Sequence, residues 1–252
     1  MSNEWREYLR PNVTLPFCPG CGHRLLLRHV LTAVVELGLD IDKTLFVSGI
    51  GCGGWIPSPC INTDTLHCLH GRAIPFAVGA KLANPDLTTL VVSGDGDIAD
   101  IGGNHLIHAA RRNHDLTVVC ANNMNYGMTG GQACSTTPIG AMTHTTPSGN
   151  ERKPFDLIAL VTGAGARYAA RYLVTEGPAL VAAIKRAIET PGFSFVEAIS
   201  PCPTQFGRQN KKDSIKDAYT YVEAMVTSSD SSGTGLSVDA EGLLVTGEYV
   251  HA

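Results

Sequence analysis

The segment spanning residues 88–121 constrains the fold more than any other part of the chain. Residues 88–93 (TTLVVS) are a β-branched run that reads as a strand and stops at Gly94. Helical spacing resumes over residues 104–112 (NHLIHAARR), and residues 116–121 (LTVVCA) form a second apolar run of strand length. Strand, glycine turn, helix and strand in that order make a βαβ unit, whose natural home is a parallel sheet covered by helices on both faces. Neighbouring segments fit the same plan. Residues 24–37 (RLLLRHVLTAVVEL) predict a largely buried helix stopped by Gly38, residues 45–47 a short strand, residues 177–190 another helix and residues 193–199 (FSFVEAI) another strand. The expected fold class is α/β, a parallel sheet with helices on both faces, in one domain over residues 1–210. Residues 211–252 are expected to form a C-terminal tail in which residues 227–235 (TSSDSSGTG) make a flexible Ser/Gly-rich loop.

Charge and composition narrow the function. Lys plus Arg is 19 and Asp plus Glu is 23, so the net charge is −4 and no basic excess draws the molecule to nucleic acid. The longest stretches free of charge are broken by Gly, Pro, Ser, Thr or Asn, so neither reads as a membrane span. The first ten residues (MSNEWREYLR) are charged throughout and do not resemble a signal peptide. The expected compartment is the cytoplasm, where the eight cysteines read as thiols or metal ligands rather than disulfides.

Gly94-Asp95-Gly96-Asp97 sits where a strand ends and a helix begins, the crevice in which open α/β sheets bind ligands. Glycines let the backbone approach a phosphate. Two carboxylates there would repel it unless a hard cation lies between, and Mg²⁺ held by oxygens supplies that bridge. The end of the next strand carries Asn122-Asn123, with 25 residues between Gly96 and Asn122. This pairing resembles the signature of the thiamine-diphosphate enzymes. The resemblance implies Asp95, the Asn123 side chain and the main-chain carbonyl of Asn125 as Mg²⁺ ligands, with Gly94, Gly96, Asp97 and Ile98 around the diphosphate. It covers half a thiamine site only, so a partner subunit is expected to carry the pyrimidine-binding half.

Cys18-Pro19-Gly20-Cys21 is a C-x-x-C turn that presents two sulfurs to one metal centre. Cys52 and Cys202 lie in Gly- or Pro-rich turns just after predicted strands, Cys120 lies inside a strand and reads as core, and Cys60, Cys68 and Cys134 are ambiguous. Taken with the thiamine signature, the motifs FCPGCGH (17–23), SGIGC (48–52), His70-Gly71-Arg72 and PCPTQ (201–205) resemble the β subunit of the 2-oxoacid:ferredoxin oxidoreductases over about residues 14–210. That resemblance implies Cys18, Cys21, Cys52 and Cys202 as ligands of a 4Fe-4S cluster. It places Ile50, Gly51, Cys52, His70, Tyr126, Gly127, Met128 and Thr129 around thiamine diphosphate and substrate, with His70 as the catalytic residue. The activity it implies is oxidative decarboxylation of a 2-oxoacid, with 2-oxoglutarate suggested by PCPTQFGR (201–208), the acyl group passing to coenzyme A and the electrons to ferredoxin. Two other classes stay open on the residues alone: a non-redox thiamine-dependent decarboxylase subunit with structural zinc, and a non-enzymatic zinc-stabilised assembly subunit.

Overall fold

The computed structural model describes residues 4–228, 237–239 and 242–250. Among the described residues eight strands form one sheet: β1 (Thr44–Ser48), β2 (Thr65–His67), β3 (Thr88–Gly94), β4 (Leu116–Asn122), β5 (Tyr168–Leu173), β6 (Phe193–Ile199), β7 (Val226–Ser228) and β8 (Leu244–Val250). Their order is β2-β1-β3-β4-β6-β5-β8-β7. Every pairing from β2 across to β5 is parallel, whereas β8 runs antiparallel to β5. Among the described residues six α-helices accompany it: α1 (His23–Glu36), α2 (Ala73–Ala83), α3 (Gly103–Arg111), α4 (Leu157–Ala164), α5 (Gly177–Glu189) and α6 (Ile215–Glu223).

Strand alternation distributes the core between two layers. Leu90 and Val92 of β3 and Val119 and Ala121 of β4 face the side covered by Leu27 and Val30 of α1 and Leu180 and Ile184 of α5. Val91, Val118 and Cys120 face the other side, against Ile74 of α2, Leu106 of α3 and Ile158 of α4. The central strands are buried along their whole length, as parallel strands covered on both faces require. The α/β class stands, with the sheet mostly rather than wholly parallel. Residues beyond 210 add α6 and extend the sheet through β7 and β8. Thr227 and Ser228 lie in β7; the rest of the expected Ser/Gly-rich loop falls outside the described residues. Among the described residues no helix is long and apolar enough to cross a membrane.

Because β1, β3 and β4 are adjacent and parallel, their carboxyl ends open on the same edge of the sheet. The loops that leave them meet there.

Candidate active site

A cleft lies at that edge. Ile50, Gly51 and Cys52 come from the loop after β1, and His70 from the turn before α2. Gly94, Asp95, Gly96 and Asp97 come from the turn after β3. Asn123, Asn125, Tyr126, Gly127, Met128 and Thr129 follow β4. Ile98 departs from the expected set: it is 1% exposed and packs into the layer beneath α2 and α3, so its side chain does not face the cleft. Residues 96–101 wind as a π-helical turn, a form concentrated at functional sites. Gly96 permits it, since a Cβ there would collide with the Tyr126 ring.

Asp97 organises the cleft. Its Oδ1 accepts from the backbone N–H of Ile50 (3.1 Å), from the N–H of Gly71 (2.7 Å) and from His70 Nδ1 (2.6 Å). Its Oδ2 accepts from the Ser93 hydroxyl (2.9 Å), whose oxygen in turn accepts from the N–H of Gly49 (3.3 Å). One buried carboxylate thereby ties the β1 loop, the His70 turn and the β3 terminus together, and charge-assisted bonds of this kind are the strong ones. The bond to Asp97 fixes the proton of His70 on Nδ1 and leaves Nε2 as the ring nitrogen free of that carboxylate. A Cβ on Gly49 would strike the Asp97 carboxylate, so the first loop must pass here as glycine.

Asp95 has different surroundings. Its Oδ2 accepts from Met124 N–H (3.1 Å), from the Thr136 hydroxyl and from the Cys134 thiol (3.2 Å). Burial pushes its pKa up to about 6, against the opposing pull of the Thr136 and Cys134 hydrogen bonds. Its Oδ1 lies 3.2 Å from the Asn123 side-chain amide, which lies 2.6 Å from the main-chain oxygen of Asn125. With its NH₂ turned inward the Asn123 amide donates to both oxygens; with its oxygen inward the three groups offer only acceptors, the type of ligand a hard cation takes. The turn that presents it contains Met124 at φ +61°, a left-handed conformation rare for a residue with a side chain. Such residues are held at functional sites by their surroundings.

The four expected cluster cysteines share one neighbourhood beside the cleft. Burial pushes the Cys21 thiol up to about 12, with added repulsion from Cys202, Cys52 and Cys18. Cys52 rises to about 11 by burial, with repulsion from Cys202 and Cys18. The N–H of Gly22 donates to Pro201 O (3.0 Å), and His23 Nδ1 meets Ser200 Oγ at 2.7 Å, so the C-x-x-C turn is tied directly to the loop of Cys202. A Cβ on Gly127 would lie 3.7 Å from Cys202 Sγ and 3.4 Å from Asn123 Nδ2, and Cys52 lines the cleft itself; the thiol group and the Asn123 amide are therefore neighbours. Cys120 is fully buried within β4, and Cys60 and Cys68 are buried thiols directed at the backbone oxygens of Trp55 and Leu66.

The family defined as the thiamine pyrophosphate enzyme, C-terminal TPP-binding domain, matches residues 51–198, the stretch that carries the cleft. The 2-oxoglutarate synthase subunit KorB of Methanothermobacter marburgensis is 45% identical over 99% of this chain and 88% of its own length. The corresponding subunit of Archaeoglobus fulgidus is 48% identical over 81% of this chain and 76% of its own length. The chain belongs to the β-subunit family of the 2-oxoacid:ferredoxin oxidoreductases. Among solved structures, the 2-oxoglutarate:ferredoxin oxidoreductase from Magnetococcus marinus, with 2-oxoglutarate, coenzyme A and succinyl-CoA bound, superposes with a TM-score of 0.88 at 33% identity. The match covers 98% of this chain and 85% of that one.

In this β subunit several residues that shape the site carry no sequence signal. Cys134 and Thr136 reach Asp95 from 39 and 41 residues away, out of an irregular segment between β4 and α4. Asp100 accepts from Tyr126 Oη (2.7 Å) and from Ser135 N–H (3.0 Å), bracing the π-helical turn against that same segment. Ser93 lies inside a β-branched run, and nothing in its spacing marks it as the partner of Asp97.

Proposed function

We propose that this β subunit binds Mg²⁺ and thiamine diphosphate in the cleft and a 4Fe-4S cluster on Cys18, Cys21, Cys52 and Cys202. With a partner subunit it converts 2-oxoglutarate and coenzyme A to succinyl-CoA and CO₂, passing two electrons one at a time to ferredoxin. The observation that carries this reading is the convergence of the Asp95 carboxylate, the Asn123 amide and the Asn125 carbonyl at the carboxyl ends of parallel strands. Thiamine diphosphate, when bound, supplies the carbon nucleophile for the 2-oxo carbon and takes up the electron pair left by decarboxylation. Asp95 and Asn123 would hold the cation that joins the diphosphate to the protein. Asp97 keeps the β1 loop against the cofactor and orients His70, whose Nε2 would hold or exchange a proton with the substrate oxygen.

The relatives, named 2-oxoacid:ferredoxin oxidoreductases among them, favour redox chemistry over structural zinc. Among the described residues no three His, Cys, Asp or Glu side chains converge on one ion. The four thiols are near enough for their charges to interact. Burial and mutual repulsion keep Cys21 and Cys52 protonated, so thiolates here need a compensating cationic centre. The substrate follows the relatives: those named above are 2-oxoglutarate enzymes, and the solved neighbour holds 2-oxoglutarate and succinyl-CoA. Ile50 and Met128 line the cleft yet are 38% and 40% exposed, an apolar rim suited to cover by the partner that carries the pyrimidine half. The test is viologen reduction that depends on both coenzyme A and 2-oxoacid, measured anaerobically with and without the partner subunit. Full turnover by the isolated chain would refute the half-site, and a preference for pyruvate would refute the substrate.

A further inference from the structure

Arg171 is the largest fully buried side chain of the described residues, and Glu197 opposite it on the neighbouring strand is 1% exposed. A buried ion pair seldom adds stability over an apolar pair, so its retention calls for a role in specifying structure. Its hydrogen bonds lead in two directions. Outward, Arg171 Nη2 donates to Asp156 Oδ1 (2.8 Å) at the start of α4, and Nη1 donates to Ser237 O (2.5 Å) in the C-terminal segment. Inward, Nε donates to Glu197 Oε2 (2.8 Å), whose Oε1 accepts from Asn122 Nδ2 (2.7 Å). Asn122 Oδ1 then accepts from the N–H of Met124 (3.0 Å), the residue at φ +61° between Asn123 and Asn125.

From this chain of bonds we infer that Arg171 and Glu197 are positioning residues for the cation-binding turn, acting through Asn122, and that Ser237 makes the C-terminal segment part of the same construction. The inference rests on the magnesium–thiamine reading above. Its physical content is polarity. A guanidinium only donates and a carboxylate only accepts. The charge on Glu197 therefore compels Asn122 to turn its NH₂ toward β6 and its oxygen toward Met124. That oxygen and Asp95 Oδ2 share the Met124 proton, which holds the left-handed turn where the Asn123 amide meets both Asp95 Oδ1 and the Asn125 carbonyl.

Glu197→Gln breaks this order with little change of shape. The new amide must keep its oxygen toward Arg171, so its NH₂ confronts that of Asn122. Asn122 can relieve the clash only by presenting NH₂ to the N–H of Met124. Combining Glu197→Gln with Asn122→Asp restores every donor and acceptor and conserves net charge. Asn122→Asp alone sets two carboxylates face to face.

The experiment compares the parent complex with its partner subunit, the Glu197→Gln complex and the double variant. Calorimetry measures thiamine diphosphate affinity at fixed Mg²⁺, and hydrogen exchange measures the amides of residues 122–126 without cofactor. We expect affinity to fall about tenfold in Glu197→Gln, the equivalent of about one hydrogen bond, and to return to within about threefold of the parent in the double variant. Exchange at 122–126 should accelerate in the single variant and return to the parental rate in the double. Parental affinity and exchange in Glu197→Gln would overturn the inference. So would a double variant that fails to assemble or binds as weakly as the single, since it keeps every bond. If the parent complex bound no thiamine diphosphate, the functional reading would fall, and the exchange rates would still decide the positioning claim.

Discussion

Asp97→Asn is the most informative single change, because the structure dictates how the amide must sit. Three donors converge on Asp97 Oδ1, so the amide oxygen has to take that position and its NH₂ has to face Ser93. The bonds to Ile50, His70 and Gly71 then pass from charge-assisted to neutral, a loss of about 1 kcal/mol each. The Ser93 hydroxyl, fully buried, loses its acceptor at about 1 kcal/mol more. The sum is about 4 kcal/mol, which for a chain of this size lowers Tm by about 10 °C. Ile50 and His70 line the cleft, so about 2 kcal/mol of that loss falls on ligand contacts and weakens cofactor binding about 30-fold. Thermal unfolding of the complex and calorimetric titration with thiamine diphosphate at saturating Mg²⁺ measure the two effects. A variant that melts within about 1 °C of the parent and binds within about threefold would show that the four donors do not depend on the charge of Asp97.

Asp95→Asn should weaken Mg²⁺-dependent cofactor binding by at least about tenfold, because it removes the one formal charge from the proposed ligand set; titration against Mg²⁺ checks this. Cys202→Ser should lower bound iron and sulfide and abolish ferredoxin reduction, whereas Cys120→Ser, a polar change inside β4, should keep the cluster and lose only some stability. Anaerobic iron analysis separates them. Burial lowers the pKa of His29, so it folds as the neutral base. Its contribution to stability is complete above the unfolded value of 6.5 and is lost as pH falls below it toward the folded value. The Tm of the complex should therefore fall as pH drops below about 6.5, and less steeply in His29→Asn.

Much of the fold was readable because local pattern and tertiary burial agree. The expected strand at 193–199 coincides with β6, and α1 and α3 lie within one or two residues of their expected bounds. Segments without a clean period were not readable. Residues 73–83 (AIPFAVGAKLA) mix Pro and Gly into an apolar run, and form α2 only because they pack against β3 and α3. β5 (YAARYL) places an arginine in the sheet interior; the carboxylates that neutralise it are 15 and 26 residues away, and the carbonyl that accepts its remaining bond is 66 away. β8 depends on pairing with β5. At the site, the convergence of Asp95 and Asn123 was readable, since both sit at fixed points on adjacent strand ends. Thr136 and Cys134 belong to an irregular segment, where contact follows from the course of the chain rather than from a period.

The two acids of Gly94-Asp95-Gly96-Asp97 show why residue type alone could not separate their roles. Both are buried, and both border the same cleft. Asp97 has donors on both oxygens, one of them three times over, so its charge is balanced by protein alone and no edge remains for a metal. Asp95 takes Met124, Thr136 and Cys134 as donors on Oδ2, while its Oδ1 lies beside the Asn123 amide. In the proposed reading only this second carboxylate ligates the cation. Excess Mg²⁺ should consequently recover part of the binding lost in Asp95→Asn, where the amide oxygen can still ligate weakly. It should recover none of that lost in Asp97→Asn, where the missing interactions are to N–H and O–H groups that a cation cannot replace.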